Sequence, residues 1–289
     1  MILIIILIGM AFEHFVGVDD KLRRFAWFND YVRWLENRLA RHAVWNGAGG
    51  IIITLSGPLL LVVLIVWILT GLFFPLALLF SLAVLIYSLG PGYLNPQLDE
   101  LIDAMEQGDR ERIKDLMPAF SDNDGAFQND QELLENILID ANERLFGVLF
   151  WFIALGPFGA MLYRLACIIR QQQSNIHGHY AESAQDLCNI LNWLPARLFT
   201  LGNAVTGNMV DAMEAWREAE KQSLSVNDDV ICAGGLGALS YRQQEDAADD
   251  EFVLQDKIYW LHALQGLLNR TLLAWLTVLG IMTLSGWMT

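Results

Sequence analysis

The chain has 289 residues, 54% of them hydrophobic, and a mean hydropathy of +0.36. Eighteen Lys and Arg stand against 33 Asp and Glu, a formal net charge of −15, which argues against a nucleic-acid partner and against a polybasic lipid-binding tail. Three cysteines, Cys167, Cys188 and Cys232, form no CxxC motif and no even set, so they outline neither a disulfide framework nor a zinc site.

Residues 1–45 predict embedded and amphipathic helices. Met1–Phe12 is apolar but spans only about 18 Å as a helix, short of an ordinary crossing. It has no basic n-region and no A-x-A site, so it reads as embedded rather than as a cleaved signal peptide. Farther on, Trp27, Tyr31, Trp34, Leu35 and Leu39 recur at helical spacing between arginines. That pattern predicts an amphipathic helix, lying either at the membrane interface or against the rest of the protein.

Residues 46–90 carry no charged side chain. Two crossings fit there, over 50–69 and 72–90, joined at Thr70-Gly71. Residues 91–144 predict an acidic, cytoplasmic helical region, with Leu98, Leu101, Met105, Ile113 and Leu116 in helical period. The loop Ser121–Gly125 is not a calcium site, because its glycine arrives too early for an EF-hand.

Residues 145–205 hold a broken membrane segment and a returning one. Across 145–169 the only charge is Arg164, and Gly156-Pro157 interrupts the middle. Residues 187–205 are apolar on one face but carry Pro195 and Arg197, which predict a break in the helix. Residues 206–266 predict a second cytoplasmic helical region, and 267–289 a last crossing. In the former, Ala233-Gly234-Gly235-Leu236-Gly237 fits close helix packing, since neither Walker A nor Rossmann spacing is present.

Lys21, Arg23, Arg24, Arg33, Arg38 and Arg41 precede the first clear crossing, and no basic residue follows until Arg110. This places the N-terminal region in the cytoplasm; the hairpin returns 91–144 there, and Lys257 and Arg270 before the last crossing place 206–266 there too. The chain between the polar regions then crosses an even number of times. Either 145–169 is re-entrant at Gly156-Pro157, or it crosses and 187–205 returns. The fold class that follows is all-α: a polytopic helical membrane protein of the inner membrane with helical cytoplasmic regions.

Arg164 and Arg197 are the leading site candidates, because an ionisable residue at membrane depth is costly and marks function by default. Near broken helices they can bind a phosphate or carboxylate. The competing reading pairs them with Glu143, Asp140 or Asp186, or lets them reach the interface. Ligand-binding residues are therefore expected among Arg164, Arg197, Glu143, Tyr163 and Asp140. His177-x-His179 with Glu182 reads as a solvated group rather than a metal site. No catalytic pattern, metal site or cofactor is predicted.

Three motifs carry a resemblance: Asp140-Ala141-Asn142-Glu143-Arg144-Leu145-Phe146, the run from Leu149 to Leu165 with its Gly-Pro and Tyr-Arg, and Asn192-Trp193-Leu194-Pro195-Ala196-Arg197-Leu198. They resemble the AmpE family of inner-membrane proteins linked to β-lactamase regulation. That family is similar in turn to CobD/CbiB, the membrane-bound adenosylcobinamide-phosphate synthases of cobalamin assembly. Glu143, Tyr163, Arg164, Pro195, Arg197 and Ala233–Gly237 keep the synthase landmarks. The synthases' Glu-Asn falls on Ile139-Asp140, and their Asn and Asp after Tyr-Arg fall on Cys167 and Arg170. Ser225 and Asn227 keep part of a Pro-Ser-Pro-Asn stretch.

The resemblance implies first an AmpE-type regulator of β-lactamase induction and cell-wall recycling, not an enzyme. Its expected partners are membrane lipid, a muropeptide or other anionic small molecule, and a protein on the cytoplasmic side. The alternative it implies is a divergent CobD/CbiB-like membrane enzyme that forms an amide.

Overall fold

The computed structural model describes residues 2–15, 25–39, 45, 47–89, 94–117, 120, 130–173, 179–222, 227–241 and 250–286. Among these the fold is all-α, with no strand. The helices run α1 (Ile2–Phe15), α2 (Ala26–Leu39), α3 (Ala48–Leu72), α4 (Phe74–Ser88), α5 (Leu94–Glu106), α6 (Arg110–Leu116) and α7 (Asp130–Ala141). A π-helical turn (Asn142–Phe146) leads into α8 (Gly147–Gln173), followed by α9 (His179–Thr206), α10 (Met209–Gln222), α11 (Asn227–Leu239) and α12 (Asp250–Leu284). Two units divide them: 1–91 with 143–193 (and 288–289), and 92–142 with 194–287.

In the first unit α3 and α4 form the apolar hairpin. The break falls at Phe73 (φ −161°, ψ 106°), not at Thr70-Gly71. Pro75 favours it, because a residue without an N–H is accommodated at least cost in the first turn of a helix. Leu60, Leu61, Leu64, Trp67, Leu72 and Phe73 are exposed and offer an apolar surface to a bilayer. The base of the hairpin is packed instead: Leu55, Leu59, Val62 and Val84 join Phe28 and Val32 of α2 and Leu165 and Ile169 of α8. Helix α2 buries Phe28, Val32 and Leu35 and leaves Trp27 and Trp34 exposed, so its inner face is turned from the expected Trp27–Trp34 stripe. Trp27 keeps its indole N–H satisfied on the Tyr87 hydroxyl at 2.6 Å.

Three stretches are long and apolar enough to cross a membrane: Ala48–Leu72, the 130–172 run and Gln255–Leu284. The middle one is not a rod. Gly156 takes φ 65°, ψ −151°, a region open essentially to glycine alone. A side chain at Gly147 would meet the Tyr163 ring, and one at Gly159 would meet the Trp151 carbonyl. In a straight helix those pairs stand about 24 Å and 12 Å apart. The chain therefore folds back at Gly156, and 147–155 returns alongside 157–173. From Glu143 to the turn the shorter arm reaches about 20 Å, short of a hydrocarbon core of about 30 Å. This is the course that the re-entrant alternative requires. Irregular backbone at such depth is tolerated where protein satisfies it.

The second unit gathers the two polar regions. Helix α5 buries Leu98, Leu101, Ile102 and Met105. Asp109 caps α6 by accepting the Arg112 N–H at 3.2 Å. Helix α12 meets α5 and α7 through Lys257–Asp130 at 2.6 Å and Gln265–Asp99 at 2.5 Å. The small-residue run does serve close packing: Gly234 sits on the Thr200 side chain, Gly235 on Leu138 and Gly237 on the Ala212 backbone. Thr271 of α12 donates to Asn203 of α9 at 2.8 Å and meets the Thr206 hydroxyl at 2.8 Å. Such hydroxyl and amide bridges join helices where apolar contact alone gives little preference. The Ser121–Gly125 loop lies outside the described residues.

Candidate functional site

The polar centre of the first unit lies where the folded segment meets α9. Glu143 stands in the π-helical turn, a distortion that often marks functional positions. Its carboxylate pairs with Arg170 near the end of α8, and both side chains are largely buried. The pair clasps the open end of the folded segment. Tyr163, fully buried, donates its hydroxyl proton to Asn192 Oδ1 at 3.0 Å. The Cys167 and Cys188 sulfurs, both buried, face each other at 3.5 Å. Arg164 is 8% exposed, with its guanidinium 5.9 Å from the centre of the Phe25 ring.

Trp151 adds a link that sequence periodicity does not show. Its indole N–H donates to the Leu191 carbonyl at 3.0 Å. In an α-helix that carbonyl would accept from residue 195, but Pro195 has no N–H to give. Trp151 supplies the missing donor. Helix α9 accordingly runs unbroken from His179 to Thr206, where a break at Pro195 and Arg197 was expected. Nearer its start, Tyr180 stacks on Trp45 and shares a hydrogen bond with Thr54 at 3.1 Å. Burial pushes its hydroxyl above the usual tyrosine range, with the Thr54 bond opposing.

In the second unit, Arg197 of α9 donates to Asn227 Oδ1 at 3.2 Å and lies 3.8 Å from Glu220 of α10. Asn227 is 4% exposed and opens α11. A planar cation beside a helix N-terminus is chemistry that suits an anion, though Asp228 and Asp229 in that first turn oppose it. Asp140 stands near the end of α7.

Of the five expected residues, Glu143, Tyr163 and Arg164 thus share the first unit, while Asp140 and Arg197 belong to the second. Glu143 pairs with Arg170, and Arg197 with Asn227 and Glu220. Arg170 and Asn192 were not among the candidates. His179 pairs with Glu182 at 3.1 Å in an exposed position, and His177 and Ser225 lie outside the described residues. Among the described residues no three His, Cys, Asp or Glu side chains converge as metal ligands.

The family model described as CobD/Cbib protein matches residues 6–247. A protein named cobalamin biosynthesis protein CobD from Chromobacterium violaceum is 33% identical over 109 residues, 37% of this chain and 35% of that protein. One of the same name from Stutzerimonas stutzeri is 31% identical over 108 residues, 36% of each chain. The chain therefore spans about a third of the length of the curated relatives it matches. No solved structure matches it. These matches carry the CobD/CbiB half of the resemblance and none carries the AmpE half. They overturn the leading functional expectation, an AmpE-type regulator, and the leaning against an enzyme, because the family and the names of both relatives belong to cobalamin assembly. The strings shared by the two families are apolar and aromatic, and such strings report the membrane fold more than the reaction.

Proposed function

We propose, since the chain belongs to the CobD/CbiB family, that it is a membrane enzyme of cobalamin assembly which joins a corrinoid carboxylate to an amine. The observation that supports this most is the family match across residues 6–247. Amide formation from a carboxylate must expel an oxygen. A nucleoside triphosphate can take that role: its terminal phosphoryl group goes to a carboxylate oxygen as the nucleoside diphosphate leaves, the amine nitrogen attacks the acyl carbon, and inorganic phosphate leaves with the oxygen. The amine gives up a proton in the same exchange. We assign Arg164 and Arg197 to anionic groups of the substrates, with Glu143, Tyr163 and Asp140 as the other binding residues. Arg197 is the better placed for a phosphate, because its fork is already oriented by Asn227. Glu143 is held by Arg170 and Tyr163 by Asn192, so both orient the folded segment.

The protein sits in this reading in the bacterial inner membrane, crosses it more than once and keeps its polar regions in the cytoplasm. Basic residues before α3 support that orientation. Membrane lipid and an anionic, phosphate-bearing small molecule are its proposed partners. The test is native mass spectrometry of the protein in mild detergent with a corrinoid carboxylic acid, an amino-alcohol phosphate and ATP-Mg. We expect a corrinoid adduct and an amide product whose mass is the sum of acid and amine less water. Spectra showing protein and lipid alone, with no product formed, overturn the reading.

A further inference from the structure

Helix α9 is not among the stretches that composition marks as able to cross a membrane. Yet every exposed residue between 187 and 206 is apolar: Ile190, Trp193, Leu194, Leu201 and Val205. At about 100° per residue they fall within roughly 120° of one another. The polar residues of the same stretch turn inward, and Asn192, Thr200 and Asn203 are buried. The modest hydropathy of α9 is thus a property of its inner face. Exposed polar residues resume only at Asp186 on one side and Asn208 on the other.

Two observations say what covers this face. Gly202 lies against Thr271 and Trp275 of α12. Leu201 and Val205 thereby adjoin the start of the exposed apolar run of α12, from Leu273 through Val278 and Ile281 to Leu284, which lies in a stretch able to cross a membrane. The second observation is topological. Helices α5 and α7, before the folded segment, share one unit with α10 and α11, after α9, and with α12. Lys257–Asp130 and Gln265–Asp99 tie α12 to the earlier pair. Both polar regions therefore lie on one side of the membrane. Helix α8 folds back at Gly156 and uses no crossing. A single crossing by α9 would separate what that unit holds together.

We infer that α9 is an in-plane membrane helix whose 190–205 face, about 22 Å long, is seated at the boundary between lipid headgroups and acyl chains. Arg197 does not break this face, because its guanidinium is turned to Asn227 and Glu220. With a net charge of −15 the attachment rests on apolar area, so zwitterionic lipid suffices.

The experiment is site-directed spin labelling of the full chain in phosphatidylcholine vesicles. Cys167, Cys188 and Cys232 are first changed to Ala, and helical content and melting are checked against the parent. Nitroxides are then attached through Leu194→Cys, Leu201→Cys and Val205→Cys, with Leu64→Cys in α3 as a bilayer reference. Collisions with oxygen are expected to exceed those with an aqueous nickel chelate at all three α9 positions. Their depths are expected to agree to within about 3 Å, two residues of helical rise. A crossing helix would spread the same three over about 16 Å, and that result overturns the inference. Nickel accessibility at these positions, meaning a face in water, overturns it too. So does exclusion of both reagents, meaning that a second copy or another protein covers the face.

Discussion

Helices α8 and α9 each carry a proline in the middle of an apolar stretch, and they answer it in opposite ways. At Pro157 the chain turns back on itself; at Pro195 it continues as one helix. Proline does the same two things at both sites: it removes a donor, and its ring restricts the residue before it. The neighbours differ. Before Pro157 stands Gly156, which takes φ 65°, ψ −151°, a conformation that leucine would resist. Before Pro195 stands Leu194, which stays helical while Trp151 caps the freed Leu191 carbonyl. A helix breaker is thus a request, and the residue before it and the nearest spare donor decide the outcome.

The largest expected effect tests what holds the α8 turn closed. Glu143 and Arg170 meet across its open end. Arg170→Met leaves the Glu143 carboxylate in a largely buried place without that partner, and breaking a buried pair costs about 3–5 kcal/mol. We expect a large fall in melting temperature in detergent for Arg170→Met, and a smaller one for the Glu143→Gln/Arg170→Met double variant, which buries no charge. Equal falls would show that the clasp is not electrostatic. Gly156→Ala comes next. A side chain there meets nothing within 4 Å, so the cost is conformational alone. Holding alanine in that backbone region costs about 1–3 kcal/mol. Gly280→Ala in α12, equally open but helical, is the control, and it is expected to gain up to about 1 kcal/mol. If Gly156→Ala behaves like Gly280→Ala, the turn does not depend on the glycine.

How much of this was legible beforehand follows the range of the interactions. The α3–α4 hairpin is plain in the sequence because 46–90 lacks charge altogether, and only its turn was misplaced, by a proline acting two residues away. The interruption at Gly156-Pro157 is plain as well. Whether the chain then crosses or returns is not, since both arms are apolar either way. The close approach of Gly147 to Tyr163 and the pairing of Glu143 with Arg170 decide it, and each joins residues far apart in the chain. The candidate site divides similarly. Glu143, Arg164 and Arg197 stand out as ionisable groups beside apolar runs, but their partners do not announce themselves. Arg170 reads as a departure from the synthases, yet it neutralises Glu143. Asn227 reads as the remnant of a worn motif, yet it orients Arg197.

The continuity of α9 is the least legible feature, and it offers the most specific test. The donor that substitutes for Pro195 comes from Trp151, on the other proline-bearing helix. Trp151→Phe keeps one aromatic ring but removes the N–H with the five-membered ring, so about 1 kcal/mol of hydrogen-bond stabilisation should disappear together with some packing. Pro195→Ala restores a backbone donor to the Leu191 carbonyl and removes a helix breaker, so it stabilises by itself. The informative quantity is the difference between backgrounds. If the indole substitutes for the missing amide, Trp151→Phe costs about 1 kcal/mol more beside Pro195 than beside alanine, a coupling that a double-mutant cycle of unfolding free energies resolves. Equal costs in both backgrounds would mean that Trp151 contributes packing only. The unbroken course of α9 past Pro195 would then have to come from its packing against neighbouring helices.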